Sequence, residues 1–179
     1  MAGPIVQQSC REKSPIRSIS MDHVWMPVTA LCDNTNTKRS KPHSRRVLVD
    51  SSVLLDILTD DPHWAAWSEE KLAAQAERDL LAINPIIYAE VAGHFSTIEE
   101  LDNVLSPEDF QRLPLPYEAG FLASRCFLLY RRRGGQKHAP LPDFYIGAHA
   151  ATEGLMLLAR DVSRYRTYFP SVQLIAPER

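Results

Sequence analysis

The sequence predicts an α/β protein built around a mostly parallel sheet. Short continuous apolar runs at residues 47–49, 80–83 and 155–159 have the composition of strands that are buried on both faces. The segments between these runs carry helix-start signals and helical spacing of apolar residues. Strands that alternate with helices are typical of a parallel sheet with helices on both faces. The length of 179 residues fits one such domain with some residues left over.

Polar caps mark the expected helix starts. Asp61-Pro62 and Asn84-Pro85 each place a capping side chain before a proline at the first helical position. The segment 96–99 has the spacing of a capping box. These signals predict helices over residues 51–58, 62–78, 85–95, from 96 onward, 117–133 and 142–153. A short edge strand over 113–116 and a last strand over 172–175 complete the expected sheet.

Residues 1–45 differ in composition from the rest of the chain. They mix Ser, Thr, Asn, Lys, Arg and Pro without a sustained apolar period, so we expect a disordered extension before a folded domain over 46–179. No apolar run approaches the roughly 20 residues of a membrane helix, so we expect no membrane-spanning segment. The three cysteines are far apart and form no CxxC pair. This argues against a disulfide framework or a structural zinc site and favours a reducing, cytoplasmic location.

Charge is unevenly distributed behind the formal net charge of −2. Residues 47–110 hold 14 acidic and two basic residues, whereas residues 111–166 hold nine basic and four acidic residues. One interpretation is two solvated helical faces of opposite sign. The other is an acidic region for a metal or a basic partner beside a basic strip for an anionic substrate. Likewise, Arg131–Arg133 is equally well explained as a solvated helix end or as a phosphate-binding group.

Four acidic residues stand out by their positions. Asp50 and Asp161 follow apolar strands, at the sheet edge where open α/β proteins bind ligands. Glu90 and Asp143 lie on the apolar faces of their predicted helices, where an acid is costly unless it is paired or binds a metal. For any one of these acids, a helix cap or an ion pair is an equally good explanation. Four carboxylates together would repel one another, which favours a site for Mg²⁺ or Mn²⁺.

Four segments resemble successive blocks of PIN-domain nucleases, in the same order. They are RVLVDSSVLLDIL at 46–58, NPIIYAEV at 84–91, LPDFYIGAHA at 141–150 and LLARDVSRYRTYFP at 157–170. Within that family, the segments are most similar to VapC-type toxins of bacterial toxin–antitoxin pairs. The resemblance covers about residues 46–177, and it leaves the N-terminal segment unexplained.

This resemblance implies a PIN-like three-layer α/β/α sandwich with Mg²⁺-dependent endoribonuclease activity. Ser52 matches a hydroxyl residue that supports the metal site through hydrogen bonds. Ala159 departs from the family pattern, in which the residue two before the last acid is often Thr or Ser. The resemblance also implies RNA as substrate, a small antitoxin protein as partner, and homodimers as a common assembly. The catalytic, metal-binding acids that it implies are Asp50, Glu90, Asp143 and Asp161.

We therefore interpret the sequence as a metal-dependent endoribonuclease that is the toxin of a toxin–antitoxin pair. One alternative is a phosphatase with Asp50 as covalent nucleophile, but such a loop carries a second Asp where this chain has Ser52. Another is a non-enzymatic RNA- or protein-binding module, whose expected sign is loss of one of the four acids. The candidates for contact with the RNA backbone are Arg131, Arg132, Arg133, Lys137, Arg164 and Arg166.

Overall fold

The structure, a computed structural model, describes residues 45–178. The expected disordered extension over residues 1–45 therefore lies, except for its last residue, outside the described residues. Strands and helices alternate along the described chain, as the sequence predicts. They are β1 (Arg46–Val49), α1 (Ser51–Leu58), α2 (Ala65–Ala76), β2 (Leu80–Ile83), α3 (Pro85–Ala92), α4 (Ile98–Val104), β3 (Gln111–Arg112), α5 (Tyr117–Arg132), α6 (Pro142–Glu153), β4 (Met156–Leu158), α7 (Ser163–Tyr168) and β5 (Leu174–Ile175).

The described strands form one sheet in the order β3-β2-β1-β4-β5, and every neighbouring pair is parallel. From the central strand β1, the chain moves outward through β2 to β3 and then returns across the sheet to β4 and β5. Right-handed crossovers therefore place α1–α4 on one face and α5–α7 on the other. The predicted three-layer α/β/α architecture with a parallel sheet is confirmed.

The core lies along the central strands. Val47, Leu48 and Val49 of β1 are fully buried, and so are Leu157 and Leu158 of β4. A strand that is covered on both faces by helices needs a continuous apolar run, and this explains why these short segments were recognisable in the sequence. Within residues 45–178, no helix combines the length and the apolar character that crossing a membrane requires.

The helix starts confirm the capping signals but correct two positions. Oδ1 of Asn84 accepts hydrogen bonds from the amides of Ile86 and Ile87, each at 3.0 Å, as predicted for the start of α3. The predicted start at residue 62 is wrong, because Asp61 caps a turn through the amides of His63 and Trp64, and α2 begins only at Ala65. A turn ahead of the helix uses the same Asp-Pro signal, so the sequence does not separate the two.

The capping box of α4 lies one residue later than predicted. Thr97, not Ser96, is the N-cap, and its side chain accepts from the amide of Glu100. Glu100 in turn accepts from the amide of Ser96 at 3.0 Å. Two consecutive hydroxyl residues are followed by two consecutive glutamates, which makes the two registers equivalent in the sequence.

Two short elements escaped the sequence-based prediction. The edge strand lies at Gln111–Arg112 rather than at 113–116, because two polar residues with no apolar pattern form it. The helix α7 was not predicted at all, since its six residues are too few to show a helical period. Both elements are short, and each follows a loop, so their positions depend on tertiary contacts rather than on a local pattern.

The helix α6 packs closely against the segment after α7 at Gly147. A Cβ atom at this position would overlap the ring of Phe169, which is buried. At Gly120 of α5, by contrast, no atom beyond its chain neighbours and its own helix backbone lies within 4 Å of the Cβ position. The absence of a side chain at Gly147 therefore allows α6 and α7 to approach each other.

These two glycines form a matched pair for mutation. Overpacking lowers the free energy of unfolding by about 1–3 kcal/mol. The higher helix propensity of alanine relative to glycine raises it by about 1 kcal/mol. We therefore expect Gly147→Ala to lower the free energy of unfolding by up to about 2 kcal/mol. We expect Gly120→Ala to raise it by about 0.5–1 kcal/mol. Urea denaturation followed by circular dichroism measures both, and equal effects of the two substitutions would contradict the packing argument.

Candidate active site

Three acidic side chains meet at the carboxyl edge of the sheet. Asp50 directly follows the central strand β1, which lies between β2 on one side and β4 on the other. Glu90 comes from α3, and Asp143 lies in the first turn of α6. The point where the crossovers diverge is where open α/β sheets form their ligand crevices. The fold therefore brings together acids from three separate segments of the chain.

Asp50 is a buried carboxylate whose two oxygens both accept hydrogen bonds. The residue is 5 % exposed. Its Oδ2 accepts from the hydroxyl of Ser52 at 2.5 Å, and its Oδ1 accepts from the hydroxyl of Tyr165 at 2.8 Å. Burial raises the pKa of Asp50, the two hydroxyls oppose that shift, and the charge of Asp143 adds to it. The carboxylate is held in a fixed orientation at an electrostatic cost.

Glu90 is half-buried and is oriented by a serine from the loop that carries Asp50. The hydroxyl of Ser51 donates to Oε2 of Glu90 at 2.7 Å. Burial is the largest cause that raises the pKa of Glu90, and the charges of Asp50 and Asp143 raise it further. These mutual effects show that the three carboxylates lie within electrostatic range of one another. They form an acidic cluster, defined as Asp50, Glu90 and Asp143.

Asp143 differs from the other two acids because it has a cationic partner. Arg164 of α7 donates from its guanidinium group to Oδ2 of Asp143. Both side chains are partly exposed, so solvent screens the pair, and it contributes at most about 1 kcal/mol to stability. The structural effect is that Arg164 places one positive charge at the rim of the acidic cluster.

The fourth predicted acid, Asp161, lies apart from this cluster. Its Oδ1 accepts from the amide of Ser163 at 3.2 Å and from the hydroxyl of Ser163 at 2.9 Å. These bonds lower the pKa of Asp161, and its charged neighbours are Arg164 and Arg160. As placed, Asp161 stabilises the start of α7. Among residues 45–178, no three His, Cys, Asp or Glu side chains are close enough, as placed, to hold a metal ion.

The sequence matches the model of the PIN-domain family over residues 47–170. The chain belongs to the PIN-domain family. The family predicted from the sequence is thereby confirmed for most of the folded region. No curated protein matches the chain.

Solved structures with the same fold come from several bacteria. VapBC2 from Rickettsia felis, bound to a promoter DNA fragment, has a TM-score of 0.57 at 14% identity and covers 74% of this chain and 99% of that chain. VapBC from Salmonella typhimurium, bound to DNA, has a TM-score of 0.54 at 16% identity and covers 74% of this chain and 98% of that chain. VapBC-1 from nontypeable Haemophilus influenzae has a TM-score of 0.56 at 16% identity and covers 73% of this chain and 97% of that chain. At such identities the likeness establishes the fold of this PIN domain.

The donor atoms of the acidic cluster fit a hard divalent cation. All three side chains offer carboxylate oxygens, which are the ligands that Mg²⁺ and Mn²⁺ prefer. The repulsion that raises the pKa of Glu90 is relieved by a positive charge between the carboxylates. Within the acidic cluster, Arg164 already supplies such a charge to Asp143. The residues of this PIN domain therefore suit a divalent metal in donor type and in charge.

Two further polar contacts hold the elements of the site together. Nδ2 of Asn84 lies 3.1 Å from Nδ1 of His149, which joins α3 to α6. The oxygen of Asn84 already accepts from two amides, so its nitrogen donates and His149 accepts. Burial lowers the pKa of His149, which keeps the ring neutral at neutral pH. Both residues are buried, so the helices that carry Glu90 and Asp143 have a fixed relative position.

Arg160 fixes the loop between β4 and α7. Its amide donates to the hydroxyl of Ser52 at 3.3 Å, and its Nε forms an ion pair with Oδ2 of Asp56 at 3.0 Å. Asp56 is buried and accepts from Ser68 at 2.9 Å. Ser52 thus links the β4–α7 loop to Asp50.

Some of the basic residues predicted to contact RNA already contact other groups of the domain. Arg131 donates to the backbone carbonyl of Lys137, and the guanidinium of Arg133 lies 5.6 Å from the centre of the Tyr168 ring. Tyr168 packs edge-on against Phe144, which is next to Asp143 in α6. The basic end of α5 therefore lies on the same side of the domain as Asp143. Arg132 and Arg166 are exposed.

Sequence reasoning missed the residues that orient the acids. Tyr165, Ser51 and Arg160 were not predicted, although each makes a polar contact within the site. Tyr165 hydrogen-bonds a residue 115 positions away, which no local pattern can indicate. Ser51 could have been suspected from the sequence, because it follows Asp50 directly. It is also the first residue of a helix that begins at the ligand-binding edge of the sheet.

The raised pKa of Asp50 predicts a pH-dependent stability of the metal-free protein. Because the folded-state pKa is above the unfolded-state value, the native state holds more protons between the two, and stability falls as pH rises through that window. We expect Asp50→Asn in EDTA to raise the melting temperature at neutral pH. The gain should disappear below about pH 4, near the unfolded value.

Asp61→Asn is the control with the opposite sign. The amides of His63 and Trp64 hold the pKa of Asp61 below its usual range, so its charged form is stabilised by folding. We expect this variant to melt slightly below wild type at neutral pH. Differential scanning calorimetry across pH measures both variants, and a lower melting temperature for Asp50→Asn at neutral pH would contradict the argument.

Proposed function

We propose that this PIN domain is a divalent-metal-dependent endoribonuclease and the toxin of a toxin–antitoxin pair. The observation that carries the proposal is the acidic cluster of Asp50, Glu90 and Asp143 at the carboxyl edge of a PIN-family sheet. The VapBC structures that share the fold, and a toxin–antitoxin complex from Klebsiella pneumoniae with a TM-score of 0.50 and 22% identity, support a small antitoxin as partner. The proposed cofactor is Mg²⁺, with Mn²⁺ as a substitute.

The proposed roles follow from the contacts of each side chain. Asp50, Glu90 and Asp143 hold the metal. A bound divalent metal supplies a water of lowered pKa and a contact for a phosphate oxygen. The hydroxyls of Ser52 and Tyr165 fix the orientation of the Asp50 carboxylate, and they leave lone pairs of its oxygens available.

Arg164 and Asp161 act at the rim of the proposed site. Arg164 pairs with Oδ2 of Asp143, and Oδ1 of the same carboxylate is the oxygen proposed for the metal. The guanidinium group has further N–H donors for a phosphate of the RNA backbone. Asp161 was predicted from the sequence as a metal ligand. As placed, it contributes by holding the start of α7, the helix that carries Arg164 and Tyr165.

The proposed path for the RNA backbone follows the basic end of α5. Exposed cations near an acidic site bring a polyanion to carboxylates that would otherwise repel it. Contacts of this kind set affinity and salt dependence and do not choose bases. The proposed contacts are Arg131, Arg132, Arg133, Lys137, Arg164 and Arg166.

The phosphatase alternative is disfavoured by the surroundings of Asp50. An aspartyl-nucleophile loop carries a second Asp two residues after the first, whereas this chain has Ser52 there, and its hydroxyl donates to Asp50. One observation favours the non-enzymatic module instead. The ion pair between Arg164 and Asp143 neutralises one carboxylate of the cluster without a metal. A measurement of divalent-metal binding therefore distinguishes the nuclease from the non-enzymatic module.

The central test replaces the metal ligands without removing their volume. We expect Asp50→Asn and Asp143→Asn each to reduce Mg²⁺-dependent RNA cleavage and Mn²⁺ affinity by more than about 100-fold, because losses at groups that only support a metal site already reach 10–100-fold. Asp60→Asn is the control, since Asp60 is exposed and asparagine accepts its positive φ of 50°. Cleavage is followed on labelled RNA, and metal binding by calorimetry without RNA. Cleavage by Asp50→Asn at the wild-type rate would contradict the proposal. A wild type that binds metal but does not cleave RNA would favour the binding module.

A second test concerns the basic end of α5. In an Asp50→Asn background, we expect Arg131→Ala with Arg132→Ala to weaken binding to all RNAs alike. The slope of log affinity against log salt should fall by about 1.4 in magnitude, at about 0.7 per phosphate contact on single strands. Fluorescence anisotropy at several salt concentrations measures both.

The matched control for this test is Arg46→Ala with Arg78→Ala. These arginines lie at the amino ends of β1 and β2, the sheet edge opposite the acidic cluster. The control removes the same charge, so equal losses in both double variants would indicate a bulk-charge effect. Unchanged affinity in the α5 variant would remove these two arginines from the proposed RNA path.

A further inference from the structure

A second cleft, separate from the acidic cluster, lies at the carboxyl ends of β2 and β3. Its volume is about 460 Å³, within the roughly 300–1,000 Å³ of small-ligand sites. Its lining includes Ile83 and Leu113 at the ends of the two strands, Tyr88 of α3 and Ile98 of α4. Ile98 is 60% exposed, although it is large and apolar. We name this cavity the β2–β3 cleft.

One wall of the β2–β3 cleft is a fixed pair of an aromatic ring and a cation. Oδ1 of Asp102 accepts from the hydroxyl of Tyr88 and from Nη2 of Arg112, each at 2.6 Å. The guanidinium of Arg112 lies 5.2 Å from the centre of the Tyr88 ring. Among the described residues, both hydrogen bonds of Arg112 use Nη2, so its other N–H donors are available to a ligand. Asp102 therefore holds Tyr88 and Arg112 in place at the cleft.

The β2–β3 cleft lies close to the acidic cluster along the edge of the sheet. The pairing of β1 with β2 and of β2 with β3 puts Asp50, Asn84 and Leu113 at the same level of three neighbouring strands. Asn84 and Leu113 both line the cleft. Because neighbouring strands lie about 4.8 Å apart, the cleft extends from roughly 5 Å to roughly 10 Å from the backbone of Asp50.

One helix, α3, separates the cleft from the acidic cluster. Tyr88 and Glu90 are two positions apart, so they lie on opposite sides of this helix. Between these two sides, Pro85 and Ala89 are exposed and carry small side chains. A strand of RNA therefore has a path over α3, with one phosphate at the acidic cluster and a neighbouring base in the β2–β3 cleft.

We propose that the β2–β3 cleft binds one unpaired base of the RNA, next to the bond that is cleaved. This inference rests on the proposed function, which places an RNA phosphate at the acidic cluster. Proteins recognise unpaired bases by stacking them on aromatic rings or guanidinium planes and by hydrogen bonds to their edges. Tyr88 and Arg112 supply both kinds of contact. Asp102 is a positioning residue that acts through these two side chains.

The composition of the β2–β3 cleft favours a base over a phosphate or an apolar side chain. Asp102 neutralises Arg112, which weakens the attraction of the cleft for a phosphate. An apolar side chain would cover the remaining donors of Arg112 and leave them unpaired, which is costly. A base meets both conditions, because it has an apolar face and carries acceptor atoms on its edge.

The first experiment measures base preference without cleavage. Metal-free Asp50→Asn protein is mixed in EDTA with a pool of short single-stranded RNAs of random sequence, and the bound RNAs are sequenced. We expect enrichment of particular bases at one position. Tyr88→Ala and Arg112→Met, each added to Asp50→Asn, should remove that enrichment and weaken binding to the selected RNA about tenfold, as for loss of a base stack.

Two matched controls accompany these variants. Phe121→Ala removes an exposed aromatic ring from α5, and Arg46→Met removes a cation at the opposite edge of the sheet. Neither residue lines the cleft, so both controls should keep the enrichment. Circular dichroism and melting curves show that each variant is folded.

The second experiment tests the positioning role of Asp102. Asp102→Ala should reduce the base preference as much as Tyr88→Ala does, whereas Asp102→Asn keeps an acceptor oxygen and should retain part of it. A role limited to the packing of α4 against β3 would lower the melting temperature and leave the base preference unchanged, which would overturn the assignment of Asp102.

The outcomes separate this inference from the nuclease proposal. A pool without enrichment, or cleft variants that bind all RNAs equally less well, would overturn the base site. Cleft variants with unchanged RNA binding would also overturn it, and a simultaneous loss of self-association in sedimentation velocity would assign the cleft to a protein contact. Wild-type protein that shows the base preference but does not cleave the selected RNA with Mg²⁺ would contradict the nuclease alone.

Discussion

The burial of one carboxylate, Asp50, is the constraint on which the site depends. The central strand β1 ends in the middle of the carboxyl edge of the sheet. Protein therefore surrounds Asp50, the residue that follows it. A charge in that place needs hydrogen-bond donors, and Ser52 and Tyr165 provide them. Ser52 comes from the adjacent turn, but Tyr165 must be brought by α7. The positions of the β4–α7 loop and of Arg160 follow from this need.

Local signals in the sequence were sufficient for four of the five described strands, for most of the predicted helix starts and for the family. Val47–Val49 is recognisable because a central parallel strand must be apolar throughout, and Asn84-Pro85 because capping is a contact between neighbouring residues. Asp50 and Asp143 could be singled out for a related reason. Their positions at the end of a strand and on the apolar face of a helix are set within a few residues of the chain.

The contacts that complete the site were not predictable, because they join distant segments. Asn84 and His149 are neighbours only after α3 and α6 have packed, and each alone resembles an ordinary cap or core residue. The role of Asp161 as a metal ligand stays a prediction. Its position after β4 matched the metal-site pattern, yet the amide and hydroxyl of Ser163 draw its carboxylate toward the start of α7. This contact joins residues only two positions apart, and the order of residues does not show whether Ser163 or a metal takes the carboxylate.

The hydrogen bond between Tyr165 and Asp50 also bears on the order in which the domain is assembled during translation. Asp50 is synthesised early and Tyr165 near the end, with 115 positions between them. Domains fold as units, and contacts this distant along the chain form late. A nascent chain therefore carries Asp50 without one of its two donors until α7 has left the ribosome. The orientation of the Asp50 carboxylate is therefore completed only after nearly the whole domain has been synthesised.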